Sequence, residues 1–137
     1  MKVTGSQPYD ISFLKQKFIE HFHSAPVVFR SPGRINIIGE HTDYNEGFVL
    51  PAAIDKAAYV AIGKREDEEI HLVSVAFNET YTVNLSAIRP RESWTDYVLG
   101  VADQLLQHGY RIGGFNLVLD GDIIIGAGLS SSAAVEC

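Results

Sequence analysis

The sequence predicts an α+β fold, and three observations carry that prediction. Two long segments place apolar residues at spacings of three and four, as helices do, while several short runs between them alternate or are rich in Val, Ile and Thr. The strand-like runs in the middle follow one another as a meander instead of alternating singly with helices, which favours α+β over a doubly wound parallel sheet. The chain has 137 residues, of which 46% are apolar and 20% charged, a balance too apolar for disorder and too interrupted for a membrane span. A chain near this length buries roughly 68–70% of its unfolded surface, so a core can form without disulfide staples.

From Tyr9 to His23, Ile11, Leu14, Phe18 and Phe22 predict an amphipathic helix, with Asp10 or Ser12 as its N-cap. Pro26 releases the chain into extended structure, and residues 27–29 and 34–38 read as strands on either side of a turn at Ser31-Pro32-Gly33. A period of two in the second strand sets Arg34 and Asn36 on one face and Ile35 and Ile37 on the other. Gly39 to Gly47 is a polar loop. Residues 48–50 and 57–64 are expected to be extended, Glu66-Asp67-Glu68-Glu69 to be a solvated hairpin end, and residues 70–75 and 80–85 to continue the meander. Ser93-Trp94-Thr95-Asp96 resembles a capping box ahead of a helix through Trp94, Tyr97, Val98, Val101 and Leu105, which Gly109 stops. Residues 115–119 form another strand, and Ile123-Ile124-Ile125 leads into a glycine-bearing turn and a last helix. That helix shows no terminating cap before Cys137, so a truncated domain is expected, with part of its apolar content exposed. There is no internal repeat, low-complexity tract or linker, and residues 1–137 read as one unit.

Eleven basic against seventeen acidic residues give a formal charge of −6, which argues against a broad nucleic-acid or anionic-membrane footprint. A bound phosphate would have to be held locally. Cys137 is the single cysteine, so no internal bridge can form, and no Cys/His cluster has zinc spacing. The start MKVTGSQPYD lacks a basic region followed by an apolar run. A reducing cytoplasm is the expected compartment.

Two segments are dense in chemistry. Gly126-Ala127-Gly128-Leu129-Ser130-Ser131-Ser132-Ala133-Ala134 combines glycines with three hydroxyls entering a small-residue helix. Free N–H groups at a helix N-terminus favour an anion by about 0.3–1 kcal/mol each at exposed sites, so the segment suits phosphate. It is neither a Walker A loop, lacking Gly-Lys-Ser/Thr, nor a dinucleotide fingerprint, lacking the third glycine. A plain N-cap is the alternative, although one cap needs only one hydroxyl and a second or third can serve phosphate or Mg²⁺.

The other segment, Gly39-Glu40-His41-Thr42-Asp43-Tyr44-Asn45, packs two carboxylates, an imidazole, a hydroxyl, a phenol and an amide beside a glycine. Carboxylates accept pairs of hydrogen bonds from neighbouring hydroxyls, so Glu40 and Asp43, with His41 between, suit a polyol or sugar. A metal site and a self-bonded turn are the alternatives. Arg34, on the strand leading in, would be drawn to these carboxylates as an ion-pair partner. His21, His23, His71 and His108 form no pattern and read as surface or core histidines.

Taken together, the residues from Gly33 through Asn45, the continuation Gly47-Phe48-Val49-Leu50-Pro51 and the loop from Gly126 to Ala134 resemble galactokinases. These belong to the kinase superfamily shared with homoserine, mevalonate and phosphomevalonate kinases. Trp94-Thr95-Asp96-Tyr97-Val98 is similar to the family's Trp-x-x-Tyr-Val helix start. The resemblance, running from about Phe13 to Cys137, implies the superfamily's α+β N-terminal domain, incomplete here, with a galactose-binding signature at 33–51 and an ATP phosphate loop at 126–134. It implies transfer of the ATP γ-phosphate to the anomeric hydroxyl of α-D-galactose, with Mg²⁺. By that match Glu40, His41, Thr42 and Asp43 grip the sugar and Arg34 sits beside the reacting oxygen. Gly126, Ala127, Gly128, Leu129, Ser130, Ser131, Ser132 and Ala133 hold ATP, and Ser132 is the Mg²⁺-side hydroxyl. The implied partners are galactose and ATP, with no nucleic acid and no membrane.

The family's catalytic aspartate lies downstream of the phosphate loop and has no counterpart in these 137 residues, nor do the glutamate completing the Mg²⁺ site and the C-terminal glycine-rich segment. The fragment alone is therefore expected to be inactive. Ser31, often alanine in the family, and Ile125, often proline, depart without touching a chemical role. The resemblance leaves room for a kinase of a related sugar such as N-acetylgalactosamine, and for a non-catalytic galactose and ATP sensor. Such sensors lose part of the serine-alanine run, whereas Ser132-Ala133 is present here.

Overall fold

The computed structural model describes residues 8–39, 46–123 and 131–136, the side chains of 131–133 excepted. Helix α1, Ile11–Phe22, begins where the Asp10 carboxylate accepts the Ser12 N–H at 2.9 Å and ends at His23 in the left-handed region. The strands are β1 (Val27–Ile38), β2 (Leu50–Lys64), β3 (Glu69–Ser74), β4 (Glu79–Asn84) and β5 (Phe115–Gly121). Helix α2, Thr95–Gln107, lies between β4 and β5, and helix α3, Ser131–Glu136, follows β5. The expected α+β class is what forms: one five-stranded sheet in the order β1-β2-β5-β3-β4 with helices on both faces.

Alternate residues of the strands feed two cores. On one face Ala57, Tyr59, Ala61, Val73 and Val118 pack against Leu14 and Phe18 of α1. On the other Ala58, Ile70, Leu72, Leu117 and Leu119 pack against Leu99 and Ala102 of α2 and Ala134 of α3. Helix α1 therefore buries only Leu14 and Phe18 fully, while Ile11 is left exposed. No helix among the described residues is long and apolar enough to cross a membrane.

Four local expectations are corrected. The turn at Ser31-Pro32-Gly33 does not form; β1 runs straight through, with a register shift between Pro32 and Arg34. An edge strand tolerates a proline, whose missing N–H can face away from the ladder, and the extra residue at Gly33 is absorbed as a bulge. Residues 50–64, expected as two pieces, are one continuous strand. The meander is interrupted as well: β2 and β3 are not neighbours, because β5 inserts between them, antiparallel to β2 and parallel to β3. Strand β5 has Asn116 to Leu119 all buried, the near-continuous burial of an interior strand, with α2 in the crossover that a parallel pair requires. Finally, the capping box is half made. Trp94 is the N-cap and offers no side-chain bond, while the Asp96 carboxylate reaches back to the N–H groups of Arg91 and Glu92. Gly109 does end the helix, at φ 82°.

The expectation of exposed apolar residues holds on and beside β1, where Phe29, Ile37, Ile38, Leu50 and Phe48 are all more than half exposed. Ile35 is also exposed, so the alternation does not give the two isoleucines an interior face.

Four carboxylates among the described residues titrate below their usual range, Glu20 through the hydrogen bonds it accepts from Lys17 and Gln16. Arg65 hydrogen-bonds Asp67 and brings it to about 2. The backbone N–H of Arg91 lowers Asp96, against a smaller opposing effect of burial. For Asp122 burial pushes upward, but the Ala57 N–H and the Lys56 ammonium together outweigh it. A lowered folded-state pKa contributes stability that is complete above the unfolded value of about 3.9 and fades as pH falls through the folded one. The melting temperature is therefore expected to hold from pH 7 to 5 and to drop between about pH 4 and 2; a flat profile to pH 2 would contradict these pairings.

Candidate functional site

Strands β1 and β2 form a long hairpin whose last pair is Ile38 with Leu50, so residues 39–49 join the two strands at one end. Gly39, at φ 104°, and Glu46, at φ 58°, stand on either side of residues 40–45. Arg34 lies on β1 just past the bulge, opposite Ala53, and its residue is exposed. The strand thus carries Arg34 toward the connection in which Glu40, His41, Thr42 and Asp43 occur. Those four lie outside the described residues, and so does the ion pair expected between Arg34 and Glu40 or Asp43.

At the other chemically dense segment, β5 ends at Gly121 and α3 begins at Ser131. Ser131, Ser132 and Ala133 have helical backbone, as expected, and Gly126, Ala127, Gly128, Leu129 and Ser130 fall outside the described residues. Both flanks of the undescribed segment border one feature. Ile123 before it and Val135 after it line a cleft of about 540 Å³, together with Ala58, Phe77, Trp94 and Tyr97.

This aromatic wall was not singled out as a site from the sequence. The indole N–H of Trp94 donates to Glu79 Oε2 at 2.8 Å, and the ring lies near-parallel to Phe77, 24° apart with centroids 6.3 Å distant. The hydrogen bond fixes the plane of the indole, which presents a flat apolar surface to the cleft. Nearby, the Arg91 guanidinium lies 4.0 Å over the ring of Tyr81. The available signal was weak: Trp94 is the sole tryptophan and opens a helix, but Phe77 comes from a turn between β3 and β4, seventeen residues away in sequence.

The end of β5 is held firmly. The Asp122 carboxylate accepts the Ala57 N–H at 2.8 Å and the Lys56 ammonium at 3.2 Å, while the Asp122 N–H donates to the Ala57 carbonyl at 3.2 Å. Two residues earlier, Asp120 accepts the Tyr9 hydroxyl at 2.6 Å, and the Tyr9 ring stacks on Tyr59 at 4.1 Å. Burial, then the bond to Asp120, raises the Tyr9 pKa, so Tyr9 remains a donor. Among the described residues no three His, Cys, Asp or Glu side chains gather where they could hold a metal ion.

Comparison with known proteins joins the two ends of this arrangement. Residues 16–64 match the galactokinase galactose-binding signature, and residues 96–137 match the N-terminal domain of GHMP kinases. The chain is 43% identical over 131 residues to a galactokinase of Chloroflexus aurantiacus, covering 93% of this chain and 34% of the relative. A crystal structure of Lactococcus lactis galactokinase complexed with galactose matches with a TM-score of 0.86 at 41% identity, over 92% of this chain and 34% of that one. The mevalonate kinase of Methanococcus jannaschii shares the fold, with a TM-score of 0.68 at 24% identity over 82% of this chain and 38% of that one. The chain thus spans about a third of the length of the relatives it matches.

Proposed function

Since the chain belongs to the galactokinase family, as the counterpart of its members' N-terminal third, we propose that the protein it represents transfers the ATP γ-phosphate to the anomeric hydroxyl of galactose. The observation that carries this reading is the match of residues 16–64 to a galactose-binding signature, because that stretch contains both Arg34 and the Glu40-His41-Thr42-Asp43 cluster. In the reaction the sugar oxygen bonds to the γ-phosphorus as the bond from that phosphorus to the β,γ-bridging oxygen breaks. ADP leaves, and the hydroxyl proton goes to a carboxylate, which the family resemblance puts downstream of the phosphate loop.

What these residues would contribute is positioning and charge. Glu40 and Asp43 accept hydrogen bonds from sugar hydroxyls, His41 and Thr42 complete the grip, and a wrong epimer leaves one of these groups unpaired. Arg34 stands on the paired β1–β2 hairpin, which suits a guanidinium that must meet charge developing on the transferring phosphoryl group. Residues 126–133 would cradle the phosphates with backbone N–H groups and serine hydroxyls. The Trp94 and Phe77 walls of the adjoining cleft suit the flat base of a nucleotide.

Mg²⁺ is normally held by one or two carboxylates plus substrate phosphates, so the Ser132 hydroxyl would be one ligand of a set whose carboxylate, by the family resemblance, lies outside these 137 residues. When bound, the ion would neutralise phosphate charge. A cytoplasmic setting accords with a chain whose sequence holds one cysteine.

The nucleotide half is tested with Trp94, the sole tryptophan. Titrating MgATP into the chain is expected to change its fluorescence saturably, with ADP competing. Trp94→Ala, read by calorimetry, is expected to weaken nucleotide binding about tenfold, given that a base stacked on an aromatic ring gains ~1–3 kcal/mol. A silent titration with no calorimetric heat would refute the cleft assignment.

A further inference from the structure

We infer that Asp122 is a positioning residue for nucleotide phosphates: with Lys56, it fixes the direction in which β5 delivers the chain to residues 124–130. The inference rests on the proposed reading of that segment as the phosphate cradle. The last regular pair of the β2–β5 ladder is Ala58 with Gly121. One residue further the ladder gives way to three bonds made by a single residue, two of them by its side chain. Oδ1 of Asp122 accepts the Ala57 N–H, Oδ2 accepts the Lys56 ammonium, and the Asp122 N–H donates to the Ala57 carbonyl.

Two features separate this from an ordinary surface ion pair. Lys56 and Asp122 side chains are only 29% and 26% exposed, so their attraction is less screened than that of a fully solvated pair. Backbone of β2 also fills the space beside Gly121: a Cβ there would lie 2.6 Å from the Ala57 carbonyl oxygen, so glycine is what permits the approach. The same stretch of β2 that Asp122 clamps, Ala57 and Ala58, lines the cleft beside Ile123 and Val135. Releasing Asp122 therefore frees the point from which the cradle departs while the Trp94 wall, on α2, is untouched. The consequence is specific: affinity that depends on phosphate should fall, and affinity for the nucleoside alone should not.

The experiment is calorimetry on the 137-residue chain with MgATP and with adenosine. Asp122→Ala is expected to lower the ratio of ATP to adenosine affinity about tenfold, the size of one charge-assisted hydrogen bond, with adenosine affinity unchanged. Asp122→Asn, whose amide oxygen can still accept the Ala57 N–H, is expected to restore most of the ratio. Should Asp122→Ala fail to fold, Lys56→Met carries the test, with an expected fall of about threefold from losing the partly exposed charge alone. An unchanged ratio in the folded variants, or an equal loss of both ligands, would overturn the positioning role. Failure of the unsubstituted chain to bind either ligand would instead overturn the nucleotide reading beneath it.

Discussion

Asp43→Ala is expected to lower galactose affinity by about 10²–10⁴-fold, since a carboxylate gripping a sugar accepts two hydrogen bonds and bonds to charged groups contribute ~1.5–3 kcal/mol each. The estimate takes both bonds as lost and the sugar hydroxyls as left without equivalent partners. Calorimetric titration of galactose into the variant and the unsubstituted chain measures it directly. Asp43→Asn keeps one acceptor and should lose less. An Asp43→Ala chain that binds galactose as well as its parent would remove this residue, and with it the polar loop, from the sugar site.

Phe18→Ala is expected to cost about 3–5 kcal/mol of stability, the usual range for deleting a fully buried aromatic ring. Phe18 is 0% exposed and is the largest fully buried side chain among the described residues. Its ring sits against Phe22, centroids 4.9 Å apart, and over Gly63, where a Cβ would come within 2.8 Å of the ring tip. The lid formed by α1 over this face depends on few fully buried groups, since Leu14 and Phe18 alone reach that state. Against a total stability of about 5–15 kcal/mol such a loss removes between about a fifth and all of it. Urea unfolding would show the midpoint collapse, and a loss below about 1 kcal/mol would mean that the ring is not sealed in as described.

The sequence made local patterns legible and left long-range pairing obscure. Leu14 and Phe18, at helical spacing behind Asp10, marked α1 and its buried stripe correctly, and Gly109 marked the end of α2. The insertion of β5 between β2 and β3 could not be read from spacing, because it depends on which strand is buried on both faces. The run Asn116-Leu117-Val118-Leu119 hints at that only in hindsight. Pro32 and Gly33 signal a turn by residue type, but punctuating residues act differently on an edge strand, where a bulge absorbs them without reversing the chain.

At the candidate site the division is similar. Apart from Arg34, the residues proposed to touch the sugar and phosphates stand in two contiguous runs, 40–43 and 126–133, so their chemistry is visible as a string. The cleft is not contiguous: Phe77, Trp94, Leu119 and Val135 meet only after the sheet has brought β3, α2, β5 and α3 together. The clamp of Asp122 on Ala57 spans sixty-five positions and leaves no trace in local pattern.

The most direct measurement is a paired calorimetric titration of the chain with galactose and with glucose, its C4 epimer. If residues 33–51 hold galactose through matched hydroxyl partners, galactose binds saturably and glucose at least about tenfold more weakly, the cost of one unmatched bond to a charged group. Equal affinity for the two sugars, or no heat from galactose, would contradict the assignment of this segment as a galactose site.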